Sequence, residues 1–161
     1  MPTILFVCTG NICRSPMAVG LLRARLARDG RADWSVRSAG TWTVEGRPAS
    51  LYSIQVMEEK GIDLRDHRSH KLTAEDVAGA DLILTMELSQ AEAIRAEFPA
   101  QAHKVYALSE MVGLRYDVED PYGSTIEDYR LCAAELEDLI ERGYPRIIEL
   151  ASPPAGSTSP Q

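Results

Sequence analysis

Cys8 and Arg14 bracket five residues, Thr9, Gly10, Asn11, Ile12 and Cys13, and Ser15-Pro16 follow directly. A thiol ends an apolar run, a short loop turns, and a guanidinium stands where a helix begins. The backbone N–H groups of such a loop converge on one point, and the helix N-terminus adds its positive partial charge. A nest of this kind takes a tetrahedral oxyanion. Arg14 offers a planar fork for two phosphate oxygens at once. The same surroundings favour the thiolate form of a cysteine, and a thiolate beneath a bound phosphate is placed for in-line attack on phosphorus. In isolation the pair reads as a buried thiol and a surface-turn arginine. The strand–loop–helix context decides for the chemical reading.

Cleaving a phosphomonoester also needs a proton donor on the leaving-group side. Asp120-Pro121 is the candidate, because proline stiffens the turn that carries the carboxyl. The same carboxylate would then take a proton from the attacking water. Apart from Cys8 and Arg14, Asp120 reads as one more acid in an acidic loop.

These residues need elements to hold them. Thr3–Cys8 is a continuous apolar run rich in β-branched residues, as expected of a strand buried on both faces. Ser15 and Pro16 read as N-cap and first residue of a helix whose Val19, Leu22 and Leu26 recur at helical spacing before Gly30. Trp34–Ala39 predicts a second strand, and 48–60 a helix with Leu51, Ile54 and Met57 on its buried face. Thr73-Ala-Glu-Asp76 opens a short helix ahead of the strand Asp81–Met86. Ser89–Phe98 reads as helix, Lys104–Leu108 as strand, and Thr125 to about Gly143 as a helix with Tyr129, Cys132, Ala133, Leu136, Leu139 and Ile140 on one face. Strands alternating with helices predict an α/β fold with a mainly parallel sheet, whose ligands bind beyond the strands' carboxyl ends. That is where the first strand delivers Cys8. Residues 151–161 have the composition of a disordered C-terminal tail, leaving 1–150 as one domain.

Composition narrows the function classes. Hydrophobic residues at 45% and charged residues at 25% are ordinary globular usage. The net charge of −7 argues against a nucleic-acid footprint across the molecule. Seven arginines meet three acids in residues 1–50, whereas ten bases meet twenty-one acids afterwards. A basic N-terminal region on an acidic protein suits a small anionic substrate. Three cysteines make no disulfide framework, and neither a signal peptide nor a membrane span is legible, so the expected setting is the cytoplasm. Cys8, Cys13 and the histidines lack the spacing of a metal site. The loop also lacks the G-x-x-x-x-G-K-[ST] pattern of a nucleoside triphosphate site.

The chain resembles the low-molecular-weight protein tyrosine phosphatases over about residues 3–150. The resemblance rests on CTGNICRSPMA at 8–18, RSAG at 37–40, DLILTM at 81–86 and EDPYG at 119–123. It implies a four-stranded parallel sheet flanked by helices on both faces, and no metal or organic cofactor. Carried onto matching positions, it makes Cys8 the nucleophile that becomes a phosphocysteine, Arg14 the phosphate clamp and Asp120 the general acid and base. Ser15 would steady the sulfur, and Asn11 would tie the loop to Ser38 and His67. Ile12, Trp42 and Tyr122 would wall the substrate pocket. The implied partners are phosphorylated proteins, with phosphate and other tetrahedral oxyanions as inhibitors. Cys13 would form a reversible disulfide with Cys8 under oxidants, although it also reads as a small apolar filler.

Two related activities share this loop, and a binding-only reading stands outside them. The bacterial protein-arginine phosphatases match at CTGN and around DPYGSTIEDY, but their arginine-specific members carry Thr where this chain has Ile12. A site relying on a polar contact is strongly impaired without it, so Ile12 favours phosphotyrosine. Arsenate reduction needs a further cysteine pair after the third strand, and Met86–Phe98 contains none. A phospho-binding module without catalysis would need neither Cys8 nor Asp120.

Overall fold

The computed structural model describes residues 1–153. Four strands, β1 (Thr3–Cys8), β2 (Ser35–Gly40), β3 (Leu82–Thr85) and β4 (Val105–Ala107), form one parallel sheet in the order β2-β1-β3-β4. The expected fold is the one found. β1 is central, and its side chains alternate between two cores. Ile4, Phe6 and Cys8 face a core shared with α1 (Arg14–Arg28), α2 (Leu51–Glu59) and α5 (Ile126–Ala151). Leu5 and Val7 face a smaller core with Val77 of α3 (Ala74–Gly79) and with Ala91 and Ile94 of α4 (Leu88–Glu97). Burial on both faces explains the unbroken apolar run, each large side chain contributing roughly 1.5–3 kcal/mol.

The register matters for the site. Cys8 pairs with Gly40, Val7 with Thr85, and Thr85 with Ala107, so the carboxyl ends of all four strands finish together. The loops that follow them gather at that end.

Four expectations need correction. Helix α1 begins at Arg14, with Cys13 as its N-cap and no side-chain cap, so Ser15 and Pro16 are its second and third residues. The Ser15 hydroxyl is occupied inside the loop instead. Helix α2 starts after Ser50 rather than at Pro48, and its buried residues are Ser53, Val56 and Met57, with Leu51 75% exposed. It is turned this way because its first turn abuts the loop: Ser50 N–H donates to Ile12 C=O at 2.8 Å, and Ser53 Oγ to Cys13 C=O at 3.4 Å. Helix α5 runs through Pro145 to Ala151. Proline gives up one ladder hydrogen bond, but Tyr144, Ile147 and Ala151 on the buried face hold the continuation. Ala151 is therefore helix rather than tail, while residues 154–161 of the expected tail lie outside the described residues. No helix among the described residues is long and apolar enough to cross a membrane.

Candidate active site

The loop from Thr9 to Cys13 leaves β1 at Cys8 and closes back on it. Asn11 adopts φ 58°, a left-handed conformation that asparagine tolerates better than most side chains. This turn brings Asn11 N–H to within 3.2 Å of Cys8 Sγ. The Asn11 amide group then donates to Ser15 Oγ at 2.7 Å and to Ser38 Oγ at 2.9 Å, and its Oδ1 accepts from His70 N–H at 2.8 Å. Ser15 Oγ lies 3.0 Å from Cys8 Sγ. Because that hydroxyl already accepts from Asn11, its own proton is free to point at the sulfur. Cys8 Sγ thus receives two donors.

The far side of the loop is held as firmly. His67 Nε2 is 2.6 Å from Asn11 C=O, so this nitrogen carries the proton and donates it. Burial pulls the His67 imidazole below its ordinary pKa, which keeps it neutral near pH 7. Gly40 ends the RSAG motif because the β2 backbone passes close to the loop. A Cβ there would stand 2.7 Å from Thr9 C=O and 3.1 Å from Asn11 Cβ.

Arg14 is 1% exposed. Its guanidinium donates to Val118 C=O at 2.7 Å, pairs with Glu87 at 2.9 Å, and reaches Thr9 Oγ1 at 3.4 Å. Its Nε is buried with no partner among the described residues. An oxyanion seated in the loop would supply one. Asp120 approaches the same guanidinium at 3.7 Å from the opposite wall, its other oxygen accepting from Tyr122 N–H at 3.1 Å. The Asp120 loop is pinned by Val118 N–H to Met86 C=O at 2.8 Å. It then turns with Ser124 N–H on Pro121 C=O, Gly123 supplying φ 79° as a type II turn requires.

These residues enclose a cavity of about 200 Å³, lined by Cys8, Thr9, Gly10, Ile12, Cys13, Arg14, Trp42, Arg47, Asp120 and Tyr122. Trp42 and Tyr122 are 81% and 64% exposed, so they belong to the mouth and not to the core. A cavity lined together by the Cys8 sulfur, the buried Arg14 guanidinium and the Asp120 carboxyl suits attack on a phosphomonoester.

The model of the low molecular weight phosphotyrosine protein phosphatases matches residues 3–147. The chain belongs to this family. Among curated relatives, a probable low molecular weight protein-tyrosine-phosphatase of Ralstonia nicotianae is 39% identical over 90% of this chain and 95% of its own. A protein-arginine-phosphatase of Geobacillus stearothermophilus is 41% identical over 86% of this chain and 91% of its own. The crystal structure of a low molecular weight protein tyrosine phosphatase from T. tengcongensis superposes with a TM-score of 0.86. It is 44% identical and covers 91% of this chain and 99% of its own.

This phosphatase brings every expected site residue together, Asn11, Ser15, Ser38 and His67 behind the loop and the others around the cavity. Sequence reading missed Glu87, Gln90, His70 and Arg47. Gln90 Nε2 donates to Thr9 Oγ1 at 3.1 Å while its Oε1 accepts from Glu87 N–H at 3.0 Å. Glu87 follows the apolar strand DLILTM, and a strand beside β1 must end next to Cys8; that was the available signal. Glu87→Gln is expected to raise KM for an aryl phosphate and lower kcat, about tenfold in kcat/KM, by loosening the Arg14 fork. Steady-state kinetics unchanged by the substitution would remove Glu87 from this role.

Cys13 is placed differently from Cys8. Its Sγ lies 3.4 Å from Tyr129 Oη and 3.5 Å from Ser50 Oγ, and burial pushes its thiol pKa up, as do the Asp120 and Cys8 charges to a smaller degree. Cys132 on α5 is pushed up to about 12, mainly by burial. All three cysteines are free and buried.

Proposed function

We propose that this chain hydrolyses phosphotyrosine in proteins through a covalent phosphocysteine on Cys8. The observation that carries the reading is the sulfur itself, given two hydrogen-bond donors at the floor of a nest clamped by a buried arginine. With the phosphate in the loop, Cys8 Sγ attacks phosphorus opposite the phenolic oxygen. The S–P bond forms as the P–O bond breaks, and Asp120 as a carboxylic acid gives its proton to the departing phenolate. Arg14 and the loop N–H groups hold the three equatorial oxygens as charge builds on them. In the second step the Asp120 carboxylate takes a proton from water. The oxygen attacks phosphorus, the S–P bond breaks, and thiolate and inorganic phosphate result. Ser15 steadies the sulfur as it leaves.

Trp42 and Tyr122 at the mouth suit a flat ring, and Ile12 beside them offers bulk without a hydrogen bond. These features favour a phenyl phosphate. The runner-up, phosphoarginine, draws support from the 41% identity to the protein-arginine-phosphatase of Geobacillus stearothermophilus. Matched phosphotyrosine and phosphoarginine peptides separate the two. The expected result is a preference for phosphotyrosine of at least about tenfold in kcat/KM, narrowed by Ile12→Thr. A preference for phosphoarginine would keep the chemistry and overturn the weight given to Ile12. The three free thiols suit a reducing compartment, in keeping with a cytoplasmic setting.

A further inference from the structure

Two guanidiniums line the catalytic cavity, and they differ in what they are free to do. Arg14 is buried and committed to Glu87, Val118 and Thr9. The Arg47 side chain is exposed and makes no hydrogen bond or ion pair among the described residues. Yet its backbone is among the most firmly held in its loop. Arg47 N–H donates to Ser69 Oγ at 2.9 Å, and Arg47 C=O accepts from Ser69 N–H at 2.7 Å. Ser69, 2% exposed, also binds the loop on either side of Glu45, through Val44 C=O at 2.6 Å and Gly46 N–H at 2.8 Å. Pro48 further restricts Arg47 to extended backbone. Glu45, two residues earlier in the same loop, is already taken by Lys71 N–H at 2.7 Å and by His70 Nδ1 at 3.2 Å.

A cation is therefore held out at the mouth on a fixed backbone, and the carboxylate of its own loop, Glu45, is occupied elsewhere. Trp42 and Tyr122 line the same cavity, so a substrate whose phosphate sits in the loop and whose ring lies against them must carry its flanking chain out past this rim. We propose that Arg47 is a specificity-determining residue that pairs with the carboxylate of an Asp or Glu flanking the phosphotyrosine of the substrate. The inference rests on the phosphotyrosine reading above. The backbone is ordered in advance, so pairing costs only side-chain freedom, and the planar fork suits a carboxylate. Because the pair lies at an exposed rim, its effect is modest and weakened by salt.

The test is kcat/KM at low and high salt on phosphotyrosine peptides identical except for a single flanking residue, Glu, Ala or Lys, scanned over three positions on each side. In the wild type at least one position is expected to favour Glu over Ala by about fivefold at low salt. That ratio falls towards one at high salt and in Arg47→Ala. Arg47→Glu inverts it in favour of Lys, and Arg47→Lys keeps part of it. Equal rates for Glu and Ala at every position would overturn the inference while leaving the phosphotyrosine reading in place. An Arg47→Glu loss of the same size on all peptides and on p-nitrophenyl phosphate would assign Arg47 to the phosphate itself, and would also overturn it. Failure of the wild type to hydrolyse any of the phosphotyrosine peptides while cleaving p-nitrophenyl phosphate would instead overturn the phosphotyrosine reading.

Discussion

Cys8→Ser is expected to lower kcat on any phosphomonoester by about 10⁴-fold or more, with the fold intact. The substitution keeps the shape of the site nearly unchanged, so Asn11 N–H and Ser15 Oγ still have an acceptor in place. What it removes is the sulfur, a stronger nucleophile and a better leaving group than a serine oxygen. A serine hydroxyl in the same position has no neighbouring base within the loop to take its proton. Turnover of p-nitrophenyl phosphate in excess chelator reads the loss, and phosphate binding by calorimetry shows that the nest survives. Activity within tenfold of wild type would exclude Cys8 as the attacking group.

Asp120→Asn should cost about 10²- to 10⁴-fold, the range for removing a positioned general acid, and the cost should depend on the leaving group. p-Nitrophenolate departs without much help, so its ester should lose least. Phosphotyrosine, whose phenolate is a stronger base, should lose more, and an alkyl phosphate most. The pattern distinguishes proton transfer from a second role open to the same side chain. Asp120 lies 3.7 Å from the Arg14 guanidinium, and a residue that merely oriented that cation would cost every substrate alike. An equal loss across a series of aryl phosphates would assign Asp120 to Arg14 and leave the proton donor to be found.

The sheet and its loop were legible because their physics is local. An apolar β-branched run followed by a short polar turn and helical spacing has few other readings, and Thr73 with Asp76 forms the capping box its spacing predicts. The misreadings came where tertiary contacts override local signals. Ser15 has the residue type of an N-cap, but its hydroxyl is worth more to Cys8 and Asn11 than to the helix. Leu51 fits an apolar helix stripe, yet docking of Ser50 and Ser53 against the loop turns it outward. Glu87, Gln90 and Ser69 were hidden because their roles depend on which strand lies beside β1 and on how the loop from 41 to 48 folds against 69–72. The strand DLILTM pointed to Glu87 only once its place beside β1 was known, and the loop contact leaves no pattern in the sequence. His67 bonds the backbone C=O of Asn11 rather than its side chain, and its spacing alone gave no reason to choose it over His70. His70 serves the same asparagine through its backbone N–H. Burial of its imidazole is outweighed by Asp76 and Glu45, and its pKa is raised.

The most direct test of the proposed chemistry is to mix the enzyme with excess phosphotyrosine peptide, quench with acid within a single turnover, and map the phosphoryl group by mass spectrometry. A phosphoryl group on Cys8, formed and lost at rates that account for kcat, is the expected result. Turnover that proceeds with no phosphorylated Cys8, or with the group on another residue, would contradict it.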